Sequence, residues 1–189
     1  MAKKGPKYGN NPSGGSGNGN GDQPGGHGGG EGTEALTARS HDWPSLRQFS
    51  VFVENRVGRL HDLLRLFEAR EIRVVALSIA NSVDCALVRI MVHDSDRARE
   101  ILQFSQFSFA ETDLVGVALP HSPQPFMTIC LALLQAEINI HYTYPLLYQR
   151  HGRGAIALYV DDVDGALKTL ADKGLSVITE NDLLLDEGF

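Results

Sequence analysis

Seven histidines, two cysteines and 23 acidic against 17 basic residues are the raw material for metal, acid–base or nucleophilic chemistry, and their spacing argues against most of it. His61, His93, His121, His141 and His151 are scattered, with no pair at the i, i+4 separation of a helical metal site. Asp161-Asp162-Val163-Asp164 gathers carboxylates at the start of an amphipathic stretch, where a helix dipole stabilises negative charge; capping explains them better than Ca²⁺ binding or acid–base work. Cys85 and Cys130 sit apart in apolar runs, a pattern that reads as two small buried hydrophobes and not as a disulfide or CxxC site. There is no sign of a Ser-His-Asp set, a nucleophile elbow or a phosphate loop, since the glycine runs near the N-terminus lack the strand and helix such motifs need. The expectation is a chain with no catalytic residues, no metal and no cofactor.

Recognition chemistry is better represented. In Asn55-Arg56-Val57-Gly58-Arg59-Leu60, a glycine stands between a stretch of two-residue period and one of helical period. Phe49, Val51 and Val53 alternate with Gln48, Ser50 and Phe52, which predicts a strand with one buried face; Leu60, Leu63, Leu64 and Phe67 predict one stripe of a helix. Gly58 permits backbone dihedrals closed to other residues and leaves room beside the chain. The first free N–H groups of the helix favour an anion. A carboxylate there has Arg56 or Arg59 at hand, and an ammonium has the Asn55 side chain or strand carbonyls.

The elements that position this turn occur twice. An offset of 66 residues lays 53–74 on 119–140 without a gap, so that Glu71-Ile72 meets Glu137-Ile138. Two more residues of offset bring Asp94 onto Asp162, Ala98 onto Ala166 and Leu102 onto Leu170. In the second copy His121 falls on Asn55 and Gln124 on Gly58, with Pro123 and Pro125 in the turn. Strands are expected over 72–80 and 83–92 with a turn at Asn81-Ser82, over 107–119 as one long strand or a pair, over 138–148 with Ile138, Ile140, Tyr142 and Tyr144 on one face, and over 155–160 and 175–179. Gly152-Arg153-Gly154 suits the second hairpin, Asp94 or Ser95 and Asp161 or Asp162 suit helix caps, and 181–189 reads as irregular. Each copy is then strand-helix-strand-strand-helix-strand, an α+β, ferredoxin-like unit with an antiparallel sheet and both helices on one face. The first unit is expected over 46–118 and the second over 113–180, with the junction strand shared or adjacent.

Residues 1–42, dominated by Gly, Asn, Ser and Pro, bury too little apolar surface to offset their ordering entropy and are expected to form a disordered tail. That segment carries four basic and three acidic residues up to Ser40, so the acidic excess behind the net charge of −6 lies in the remainder. An acidic body argues against nucleic-acid binding. With no signal peptide and no apolar run of ~20 residues to span a bilayer, a cytoplasmic protein without membrane contact is expected.

A βαββαβ unit with a glycine turn after its first strand resembles the ACT domain. That family's turn typically reads Asp/Asn-Arg-Pro-Gly-x-Leu, to which Asn55-Arg56-Val57-Gly58-Arg59-Leu60 is similar with Val57 in place of proline, and Asn139-Ile140 matches an Asn-Ile pair that often opens the second strand. The resemblance, to a tandem pair, covers the chain after about residue 46. It implies a non-catalytic regulatory protein that binds a small molecule, usually an amino acid, and signals through domain pairing or partner contact, as a homodimer or beside a regulated enzyme. It implies a ligand held between the glycine turn of one unit and the second strand of its neighbour. The residues concerned are Asn55, Arg56, Val57, Gly58, Arg59 and Leu60 facing Tyr142 and Tyr144, and by symmetry Ala76 and Ser78 facing His121 to Gln124. Gln124 in place of glycine departs from the pattern. An alternative is a small metal-dependent enzyme, because 155–177 also resembles the glyoxalase-like strand-helix-strand; Glu54, Glu111 and His141 are its ligand candidates. RNA-binding modules share the topology, but the strand 86–92 lacks their basic-aromatic signature.

Overall fold

The alternation at Phe49, Val51 and Val53 forms strand β1 (Leu46–Glu54), whose buried face meets Leu63 and Phe67 of helix α1 (Arg59–Glu68). The computed structural model describes residues 44–81 and 85–185, all within one unit, Ala38–Phe189. The expected tail over 1–42, the turn at Ser82 and the last four residues lie outside the described residues. The chain continues through β2 (Val74–Asn81), β3 (Cys85–Val92), α2 (Ser95–Gln103) and β4 (Ser108–Ala118). It then repeats the order with α3 (Pro125–Gln135), β5 (Ile140–Arg150), β6 (Arg153–Val160), α4 (Val163–Asp172) and β7 (Val177–Ile178), and ends in α5 (Glu180–Leu184).

One seven-stranded antiparallel sheet runs β2-β3-β1-β4-β6-β5, with β7 on β4. Strand β4 belongs to both halves: Ser108–Leu114 pairs with β1, and Val115–Ala118 pairs with β6. The expected strand over 107–119 is therefore single. The sheet folds over along β4, so that the end strands β2 and β5 come beside each other. Its outer face carries α1 and α2 over Phe49, Val51, Val88 and Ile90, and α3 and α4 over Val115, Val117, Ile156 and Leu158. Its inner face encloses a third core of Leu46, Met91, Leu114, Tyr144, Leu146, Ala157 and Ile178. Gly116 sits where the two halves press together; a Cβ there would run into Leu46 Cδ1 and lie 3.0 Å from Ile178 Cβ.

The two copies share their irregularities as well as their elements. Glu71 and Glu137, 66 residues apart, both adopt φ 58 after their helices, a left-handed conformation uncommon for non-glycine residues. A bulge follows in each second strand, between Val74 and Ala76 and between Ile140 and Tyr142. An added residue flips the side chains beyond it to the other face. Ile138 and Ile140 thus join the core under α3 and α4, while Tyr142 and Tyr144 turn inward. The single-face reading of these four residues is corrected by that bulge.

Local chemistry accounts for the remaining differences. Asp94 and Asp162 are the N-caps of α2 and α4, accepting from Arg97 N–H and Gly165 N–H. The β5–β6 hairpin turns at His151-Gly152, both at positive φ, one residue earlier than expected. Cys85 and Cys130 are exposed, not buried; on α3 the inward face is taken by Ile129 and Leu133 in place of Cys130. The segment expected to be irregular contains α5, which Thr179 and Asp182 start with a reciprocal capping box. Its Glu180 is buried and accepts from Arg47 N–H at 2.9 Å and Ser95 Oγ–H at 2.6 Å, tying the chain's end to the first half.

Candidate functional site

The glycine turn is built as the sequence predicts: Gly58 is the N-cap of α1 at φ 95, with no side-chain cap and open space where a Cβ would project. Asn55 and Val57 are exposed, and Arg56 turns back onto Glu54. Arg59 lies over the Phe107 ring at 5.0 Å and reaches Asp62 at 3.4 Å, with its Nε buried and without a partner. Leu60 packs partly against the core below. The second turn is different in kind. Gln124 caps α3 from φ −132, a negative φ that needs no glycine, and Pro125 opens the helix. Ser122 and Thr128 hydroxyls bond each other at 3.0 Å, and His121 is exposed.

These two turns stand at opposite ends of β4, the first beside Ser108 and the second beyond Ala118, so about 35 Å of strand separates them. Tyr142 and Tyr144 do not face the Gly58 turn within the chain. They lie on the inner face of the sheet, hydrogen-bonded to Gln48, which is six residues or about 20 Å along β1 from Glu54.

Of the residues singled out from the sequence, Ser78, Tyr142 and Tyr144 do come together there, through Arg89. Ser78, Arg89 and Ser50 are register partners on β2, β3 and β1, giving a hydroxyl, a guanidinium and a hydroxyl side by side at strand spacing, about 4.8 Å. Arg89 lies over the Tyr142 ring at 4.4 Å, and that ring stacks on Tyr159 at 4.9 Å and Tyr144 at 6.2 Å. Tyr144 Oη–H donates to Gln48 Oε1 at 2.6 Å, and Gln48 Nε2 donates to Tyr142 Oη at 3.0 Å and to Ser50 Oγ at 3.1 Å. Burial pushes the Tyr144 phenol above its ordinary pKa, so it stays a donor and fixes the Gln48 amide. Gln48, Ser50 and Arg89 were not singled out from sequence. Their signal was a lone arginine in the apolar run 86–92, and polar alternates on a strand given only one buried face.

A groove of about 610 Å³ runs between α1 and β2. Leu64, Ile72, Val74, Leu77 and Leu147 form an apolar floor, rimmed by Arg65 and His61 on one hand and Glu68 and Glu71 on the other. Among the described residues, Arg65, Glu68 and Glu71 make no ion pair. The repeat-equivalent groove, about 320 Å³ between α3 and β5, replaces His61, Leu64, Arg65 and Glu68 by Met127, Cys130, Leu131 and Leu134. It is almost wholly apolar.

Residues 45–185 match the family described as an ACT domain pair. The chain belongs to that family. This ACT pair resembles the solved structure of protein BT0572 from Bacteroides thetaiotaomicron at 26% identity and a TM-score of 0.68, covering 75% of this chain and 96% of that one. It is also similar to the regulatory subunit of aspartate kinase from Thermus thermophilus, at 14% identity and a TM-score of 0.47, over 70% and 95% of the two chains. No curated protein matches the sequence. The residues weighed for a metal enzyme are otherwise engaged in this fold. Glu111 is held by Arg99 at 2.7 and 2.8 Å and by Arg47 at 3.3 Å, Glu54 pairs with Arg56, and His141 stacks on Tyr159 at 5.0 Å. Among the described residues no three His, Cys, Asp or Glu side chains converge, and no helix is long and apolar enough to cross a membrane.

Proposed function

We propose that this ACT pair is a non-catalytic regulatory module that binds an amino acid in the groove between α1 and β2. The observation that carries the reading is the rim of uncommitted opposite charges over an apolar floor. A zwitterion needs a cation for its carboxylate and an anion for its ammonium, a short distance apart; Arg65 supplies the first and Glu68 with Glu71 the second. The floor receives an aliphatic side chain, and the volume lies within the range of small-molecule sites. The glycine turn of Asn55 to Leu60 heads the same helix and adds its free N–H groups at the end of the groove. The apolar groove beside α3 offers no such charges, so one amino acid per chain is proposed. The regulated activity then resides on another chain in the cytoplasm, or is governed through self-association.

A thermal-shift screen of the twenty amino acids tests this. A millimolar ligand with micromolar affinity adds ~4 kcal/mol of stability, and Arg65→Ala or Glu68→Gln abolishes most of that gain while leaving the free protein's stability within about 0.5 kcal/mol. The reading is overturned if no amino acid stabilises the protein, or if both variants respond as the parent does.

A further inference from the structure

Three arginines withdrawn from solvent are matched with carboxylates. Arg47 contacts Asp96 at 3.0 Å and Glu111 at 3.3 Å, Arg99 reaches Glu111 at 2.7 Å and Asp96 at 3.2 Å, and Arg59 reaches Asp62. Arg89 differs: among the described residues no carboxylate contacts it, and its guanidinium lies over the Tyr142 ring. An aromatic face attracts a guanidinium but accepts none of its five N–H bonds in the plane where they point.

The neighbouring hydroxyls extend the imbalance. Because Tyr144 donates to Gln48 Oε1, the amide's nitrogen faces Tyr142 Oη and Ser50 Oγ, and both of those oxygens act as acceptors. The Tyr142 hydroxyl in turn donates to Gln48 Oε1 at 3.3 Å, so of these two only the Ser50 proton is left to donate elsewhere. Ser78, on the far side of Arg89, has no bond among the described residues. Ser78, Arg89 and Ser50 therefore form a row on the inner face of the sheet that holds one positive charge and two hydroxyl protons to donate, with no carboxylate contact to Arg89 among the described residues. Beyond the row the face opens outward: Ala80, Ser108 and Ala110 are exposed and Phe52 is 51% exposed.

We infer that this row is a second binding site, separate from the α1 groove, for a small carboxylate: the guanidinium of Arg89 grips it from one edge and the Ser50 and Ser78 hydroxyls donate to it from the flanks. A carboxylate is the group that fits. It is planar, it takes two parallel N–H bonds from an arginine fork, and its remaining lone pairs accept from hydroxyls. Its single negative charge cancels the single charge of Arg89. The aromatic stack of Tyr142 and Tyr159 at the same place gives a flat wall for whatever the carboxylate carries.

The test is thermal denaturation of the full chain in acetate against chloride at equal ionic strength, with inorganic phosphate as a control for charge alone. Acetate is expected to raise Tm saturably where chloride does not, with affinity lowered about 10- to 100-fold in Arg89→Met and lowered in Arg89→Lys, which keeps the charge and loses the fork. Arg65→Ala, in the other groove, keeps the acetate response. Without acetate, Arg89→Met is expected to be as stable as the parent or more so, because it removes an unpaired charge. Should it unfold, Ser78→Ala replaces it and is expected to weaken acetate several-fold with stability unchanged. Equal responses to acetate and chloride overturn the inference. So do an undiminished acetate response in Ser78→Ala and Arg89→Lys, and a response to phosphate equal to that to acetate.

Discussion

Removing the Glu180 carboxylate should destabilise the whole fold, although the residue lies nine positions before the last one, Phe189. Glu180 is 6% exposed, and its two oxygens take the backbone N–H of Arg47 on β1 and the hydroxyl of Ser95 at the start of α2. Glu180→Ala leaves both donors buried without acceptors. At about 1–3 kcal/mol for each stranded group, with some relief from an entering water, the expected loss is about 2–4 kcal/mol. A body of this size loses roughly 2–4 °C of Tm per kcal/mol. Glu180→Gln separates hydrogen bonding from side-chain bulk. Its amide oxygen still accepts from Arg47 N–H, and the Ser95 hydroxyl can rotate to accept from the amide nitrogen, so the loss should stay near ~1 kcal/mol. Urea denaturation of the three proteins, followed by far-UV circular dichroism, gives both differences. An alanine variant within 0.5 kcal/mol of the parent, or a glutamine variant as damaged as the alanine one, would refute the reasoning.

Other substitutions probe the backbone. Gly116→Ala places a methyl group against Leu46 and Ile178; overpacking costs about 1–3 kcal/mol, readable by the same denaturation. Gly58→Ala meets no neighbour but must hold φ 95, so it should cost about 1–2 kcal/mol through the backbone alone, with Gly58→Asn milder. His93 titrates below its ordinary pKa of 6.5 because it is partly buried, with the Arg73 charge adding to the effect and Asp94 opposing it. A histidine depressed in the folded state binds protons more readily when unfolded. Its contribution is therefore complete above about pH 6.5 and is lost as pH falls from there toward the folded value. Denaturation midpoints measured from pH 7.5 to 5 should show a decline that His93→Gln reduces, since its side-chain oxygen can still accept from Arg73 N–H.

The duplication was legible because buried positions repeat at a fixed offset, and so do the residues that break regularity: Glu71 and Glu137 match in sequence and in backbone angle. The caps at Asp94 and Asp162 were legible for the same reason, each a short acceptor just ahead of an apolar stripe. The bulges were not. A bulge leaves no residue signature, yet it decides whether Tyr142 points at a helix or into the fold's interior. With that face hidden, Gln48 and Ser50 looked like solvent-side alternates of β1, and Arg89 like a stray charge. The gathering of Ser78, Arg89, Ser50 and Tyr142 depends on strand register across three separate segments, which no local pattern encodes. Helix α5 is the opposite case. Thr179-Glu180-Asn181-Asp182 carries a cap signature in plain view, but follows a strand that is only two residues long.

Sharing β4 has a mechanical consequence. Two modules on a slack tether can answer a signal by swinging apart. Here the first half ends and the second begins in consecutive residues of one strand, Leu114 and Val115, so any such swing would have to rip backbone ladder bonds. A message from one half reaches the other as torsion of a common beam, and the halves should melt in a single step.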